Sequence, residues 1–155
     1  MRRMIRVGLG LALLGSLAVL PACSSASAEG DGGMKVWGYV VAEKNAALEL
    51  AESQAGAAKV TVDRVLSPDP AWIVVHADVN GEPGERVGLA HVEAGETRDV
   101  VVPLEGVTTE DVIVALHSDR GTVGEFDFDM MNKEMSPDRP FFVNENELAR
   151  VVTLR

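Results

Sequence analysis

The chain has 155 residues, 46% of them hydrophobic, and a formal net charge of −10 from 24 acidic against 14 basic side chains. That length holds one globular domain with an appendage and argues against a second full domain. The acidic balance argues against nucleic acid as a partner, because binding a phosphate backbone needs a basic face.

The opening reads as a processing signal. Arg2, Arg3 and Arg6 make a basic start, Val7 to Leu20 is largely apolar, and "LPAC" closes the segment at Leu20 to Cys23. The apolar run is short for a stable membrane span. "LPAC" resembles the lipobox of bacterial lipoproteins, which implies cleavage after Ala22 and a diacylglycerol on the Cys23 thiol. An ordinary secretory signal with an incidental cysteine is the alternative. Cys23 is the only cysteine, so it has no partner for an intramolecular disulfide and the lipid reading is favoured. Two or more acyl chains give stable anchoring. Residues 1–22 are thus expected to be a lipoprotein signal peptide, and the mature chain an extracytoplasmic lipoprotein held at the cell envelope or cell surface. Loss of three arginines leaves 11 basic against 24 acidic side chains, a net −13.

Residues 23–33 read as a lipidated flexible tether. "SSASAEGDGG", Ser24 to Gly33, has no large apolar side chain, and its length spans on the order of 15–20 Å as a random coil. Residues 34–155 then read as a single domain built from strands. Val36 to Val41 is β-prone, and Ala42 to Ala51 fits a strand through Leu48 and Leu50 or a helix; strands are favoured. "KVTVDRVLS" alternates through Val60 and Val62, and its change of period before Val65 suggests a bulge near Asp63 and Arg64. "SPDPA" is a turn. "WIVVHAD", "RVGLAHV", "RDVVVPL" and "DVIVALHSD" have strand length and are separated by glycine turns. "GEFDF" and "PFFVNENELARVV" complete the set. Seven or eight short strands at this spacing predict an all-β fold, an antiparallel β-sandwich of immunoglobulin-like type. Trp72, Phe126, Phe128, Phe141 and Phe142 are expected to pack in or near its core.

"VTVDRV", "AWIVVHAD", "RVGLAHVEAGETRDVVVPL" and "VIVALHSD" resemble an uncharacterised domain of secreted and surface proteins found in halophilic archaea and some bacteria. The resemblance covers residues 46–153 and implies fold and location rather than an activity. Some archaeal relatives carry a more Asp-rich turn after the second histidine. Here Arg120 and Thr122 stand in that turn, which weakens a calcium site.

The stretch "ALHSDRGTVGEFDFD", Ala115 to Asp129, raises the question of a metal. A calcium loop needs regularly spaced oxygen ligands and a terminal bidentate carboxylate, and Asp119 to Asp129 supplies a loose version only. Asp127 and Asp129 alternate with Phe126 and Phe128, as the solvent face of a half-buried strand does. His76 and His117 sit near strand ends and, with Asp119 or a thioether from Met130, Met131 or Met135, could hold copper or zinc. Strand parity turns His117 outward with Ile113 and Ala115, and leaves His76 on either face. The run "DMMNKEM" suits Cu(I), whose soft ligands are thioethers, or a flap that fills irregular gaps. His91 has no motif around it.

Enzyme signatures are thin: the chain contains no G-x-S-x-G, Walker, H-E-x-x-H or G-x-G-x-x-G motif. "HSD" at His117 to Asp119 holds triad residue types, but neighbours on a strand point to opposite faces. The sequence therefore points to a lipid-anchored binding or structural module without catalysis and without a cofactor, anchored in a membrane and meeting a protein or glycan at the cell surface. Its alternatives are a surface protein that binds copper, zinc or calcium, and a hydrolase of unknown substrate.

Overall fold

A computed structural model describes residues 37–155. The signal peptide, Cys23 and the tether lie outside the described residues, which belong to the second of two units, Met34–Arg155. Among the described residues eleven strands run in chain order: β1 (Tyr39–Val40), β2 (Ala47–Glu49), β3 (Ser53–Gln54), β4 (Lys59–Ser67), β5 (Ala71–Val79), β6 (Glu82–Val92), β7 (Gly95–Pro103), β8 (Asp111–Ser118), β9 (Phe141–Val143), β10 (Asn146–Glu147) and β11 (Ala149–Leu154). A five-stranded sheet in the order β3-β11-β8-β5-β6 faces a three-stranded sheet, β2-β4-β7, and a small sheet β1-β9-β10 lies beside them. The fold is all-β, as the strand spacing predicts, and is a β-sandwich.

Alternation decides what the sandwich encloses. On β5 the side chains of Ala71, Ile73, Val75 and Ala77 enter the core, joined by Val112, Val114 and Leu116 of β8 and faced by Leu48, Val60, Val62, Val65 and Val102 of the second sheet. Full burial of each larger member, such as Ile73 or Leu116, contributes about 1.5–3 kcal/mol. The β5–β6 hairpin turns on Asn80 and Gly81, at φ 59° and 86°, the two left-handed positions that a type I′ turn requires. Strand β6 continues through Pro83 and Gly84, where two register shifts bulge the pairing between Val75 and Asp78.

Three expectations change. The period shift in β4 is real, since Val62 and Val65 are both buried, yet the β4–β7 register is unbroken on either side of it. Both strands change phase together opposite Asp99, whose φ is 54°, so the feature is a paired kink rather than a one-strand bulge. "PFFVNENELARVV" divides into β9, β10 and β11, because Asn144 and Glu145 take positive φ and turn the chain between the first two. "GEFDF" is not a strand: the Gly124 and Asp127 N–H groups donate to the Asp119 and Asp138 carboxylates and that of Glu125 to the Thr122 carbonyl, in place of a neighbouring ladder.

One side chain closes an edge. Gln54 Nε2 donates to the Thr61 carbonyl at 2.8 Å, and Gln54 Oε1 accepts from the Thr61 N–H at 2.7 Å. The carboxamide satisfies β4 where β2 no longer pairs with it, which blunts an open strand edge.

Candidate functional site

The outer face of β5 carries Trp72, Val74 and His76. Register sets their neighbours: Trp72 lies between His91 of β6 and His117 of β8, Val74 between Leu89 and Ala115, and His76 between Arg86 and Ile113. The sequence left open which way His76 points; it shares this face with His117. Outward from the core does not mean exposed, since His76 and His117 are both buried. The segment from Asp119 to Pro140 covers them.

Carboxylates hold that segment together. Asp138 is fully buried; its Oδ1 accepts from the N–H groups of Arg120 and Gly121 at 2.8 and 3.0 Å, and its Oδ2 from that of Asp127 at 2.6 Å. Asp119 Oδ2 accepts from Gly124 N–H at 2.8 Å and pairs with His91 Nε2 at 2.9 Å. Asp127 Oδ2 accepts from Thr122 N–H, and Asp129 Oδ1 from Met131 N–H. The loop's acidic residues thus replace the ladder partners a hairpin would have supplied. Among the described residues no group of three or more His, Cys, Asp or Glu side chains could hold a metal ion.

With the loop fixed, Phe126 and Phe128 stand over the sheet. The Phe126 ring lies 5.9 Å from Trp72 and 5.6 Å from His117, and Phe128 lies 5.0 Å from His117 and 6.0 Å from Trp37. The three contacts with Trp72 and His117 are edge-on and the Trp37 contact is tilted at 35°; aromatic pairs so arranged are worth about 0.5–1.5 kcal/mol each beyond burial. Tyr39 anchors the same region: the Arg120 and Arg139 guanidinium groups stack on its ring, and its hydroxyl donates to the Pro137 carbonyl.

Between this aromatic wall and the β5–β6 hairpin opens a cleft of about 580 Å³, lined by His76, Pro83, Gly84, Glu85, Arg86, Phe126, Phe128 and Met130. The β6 bulge shapes it, because the Gly84 carbonyl accepts from His76 Nδ1–H at 3.0 Å. That bond leaves the lone pair of the neutral imidazole on Nε2. Burial, and after it the charge of Arg86, pushes the His76 pKa down, so the ring is neutral at neutral pH. Arg86 sits with its guanidinium 5.2 Å from the Phe126 ring centre and has no ion-pair partner among the described residues.

The family model described as "Domain of unknown function (DUF7282)" matches residues 46–153. The chain belongs to this family. It has no match among curated proteins or among solved structures. The DUF7282 span contains all the residues that line the cleft, whereas Trp37 and Tyr39, which brace its aromatic wall and loop, precede it.

The structure separates the sequence's metal candidates. His76 and Met130 line the same cleft. His117 lies behind Phe126 and Phe128 and donates from Nδ1 to the Asp138 carbonyl at 2.8 Å; burial lowers its pKa to about 4. Asp119 belongs to His91 and the loop, and Met131 and Met135 point into solvent. Sequence reasoning missed three residues: Asp138, whose only signal was an acid between the prolines of "SPDRP"; His91, which meets Asp119 across 28 positions; and Arg86, a cation in the acidic hairpin "GEPGER".

Proposed function

We propose that this DUF7282 chain is a lipid-anchored, extracytoplasmic β-sandwich that binds a ligand without catalysis, and that its binding site is the cleft between the β5–β6 hairpin and Phe126–Met130. The observation that carries the reading is the cleft itself. Its volume of about 580 Å³ lies within the range of small-ligand sites, and its walls combine two aromatic rings with the Arg86 guanidinium and a His76 imidazole held by a backbone hydrogen bond. The lipid anchor rests on the "LPAC" sequence and the single Cys23.

Side-chain partnerships support the non-catalytic reading over a hydrolase. Ser118 Oγ donates toward the Pro137 and Arg139 carbonyls at 3.3 and 3.2 Å, His117 is held by Asp138, and Asp119 by His91, so "HSD" forms no relay. A second reading places Cu(I) or zinc on His76 Nε2 and the Met130 thioether, because both line the cleft and the imidazole is neutral. The Arg86 charge in the same wall opposes a cation.

Two measurements test the proposal. Metabolic labelling with a fatty-acid analogue should mark the wild-type chain and not Cys23→Ser; membrane retention of the unlabelled variant would overturn the anchor. Thermal unfolding of the full-length chain in neutral detergent, after chelation and then with calcium, zinc, Cu(I) and Cu(II) in turn, separates the two ligand readings. A ligand of the folded state at 100 times its Kd adds about 2.7 kcal/mol. A saturable rise with one ion, lost in Met130→Leu, would put the metal first.

A further inference from the structure

The chemistry of the cleft specifies a class of ligand. This step rests on the cleft being the binding site and goes on to what fills it. We propose that the cleft takes a ring-sized ligand bearing a single carboxylate.

Three contacts would recognise it. Arg86 is a fork of donors that matches a carboxylate in bidentate geometry, and no acidic side chain among the described residues forms an ion pair with it, in a chain where acids outnumber bases 24 to 14. Phe126 already stacks under the guanidinium, which flattens that end of the wall and holds the fork in place. Phe128 continues the apolar surface, so a ring lying against both phenylalanines is removed from water while its carboxylate reaches Arg86. His76 is the third contact. Its Nδ1–H is bound to Gly84, so a neutral ring offers only the Nε2 lone pair, which accepts a hydrogen bond from a hydroxyl of the ligand.

Charge selects against the other occupants. A metal cation would share the wall with Arg86, and a polyanion would meet a chain of net charge −10. One carboxylate meets Arg86 at contact: Glu85, the one acid in the lining, forms no ion pair with Arg86 and leaves its fork open, and acids beyond about 8 Å are screened at physiological salt. The shared chemistry has two sources, a uronic acid sugar with its hydroxyls and hydrogen-rich ring face, or a free aromatic acid.

The test is saturation-transfer NMR and calorimetry on the full-length chain in neutral detergent, with glucuronate, glucose, benzoate and acetate as probes. Glucuronate should bind at least about tenfold more tightly than glucose and than acetate, and Arg86→Gln should reduce it to the level of glucose. Phe128→Ala should weaken glucuronate and benzoate alike. Tighter binding of benzoate identifies the aromatic source, and tighter binding of glucuronate the sugar. Equal binding of glucose and glucuronate, or an Arg86→Gln variant that binds as wild type does, overturns the inference while leaving the cleft as a binding site. Silence from every carboxylate also overturns it. If glucose and the metal ions are silent as well, the cleft reading falls with it. Arg86 lies at the surface, so its substitution leaves the fold intact, and an unchanged unfolding temperature checks this.

Discussion

His117 couples the aromatic layer to pH. Its ring is 2% exposed, packs edge-on against Phe126 and Phe128, and has a pKa lowered from 6.5 to about 4, first by burial and then by the charge of His76. Between those two values the unfolded chain binds a proton that the folded chain excludes. Stability is therefore full above about pH 6.5, falls as pH drops through that value, and levels off below about pH 4. Taking 6.5 unfolded and about 4 folded, the loss at pH 5 is about 2 kcal/mol, or roughly 6–10 °C in Tm for a domain of this size. His76, shifted in the same direction, adds to the wild-type slope. Urea unfolding at pH 7.5 and pH 5 of wild type and His117→Asn measures the term by difference, since the asparagine amide nitrogen takes the place of Nδ1 as donor to the Asp138 carbonyl but does not titrate. The variant is expected to be less stable at pH 7.5 and to lose about 2 kcal/mol less between the two pH values. Equal pH slopes in the two proteins would refute the assignment of a neutral, buried imidazole at this position.

Asp138→Asn should release the covering loop, because the amide places a donor against at least one of the N–H groups of Arg120, Gly121 and Asp127 that the carboxylate now accepts. A cost of about 2–3 kcal/mol and tryptic cleavage after Arg120 are expected; a loop as resistant as in wild type would show that the carboxylate is not its organiser. Gln54→Ala removes both bonds to Thr61 and exposes the β4 edge, with an expected loss of about 1–3 kcal/mol and a greater tendency to self-associate. Chemical denaturation with light scattering reads both effects, and an unchanged midpoint would remove Gln54 from the account of the edge.

The sequence by itself determined the strands that obey a short period. Alternation in "KVTVDRVLS", "WIVVHAD" and "DVIVALHSD", with Asn80–Gly81 between two of the long runs, was enough to place β4, β5, β8 and the β5–β6 turn, because period and turn chemistry are local properties of the chain. Parity also turned His117 away from the sandwich core. What it could not show is that a second layer covers that outer face, so that an outward histidine is buried. The alternation of Phe and Asp in "GEFDF" looked like a half-buried strand, and the structure uses the same alternation differently. The phenylalanines cover the sheet while Asp127 ties back onto Thr122. That choice depends on Asp138, 11 residues after Asp127, and on His91, 28 residues before Asp119. The cleft is likewise a product of tertiary structure. Register brings Arg86 beside His76, a bulge at Gly84 fixes the imidazole, and Phe126 reaches Arg86 only once the loop is held. Contacts at such separations leave no period in a sequence, which is why the frame was legible and the site was not.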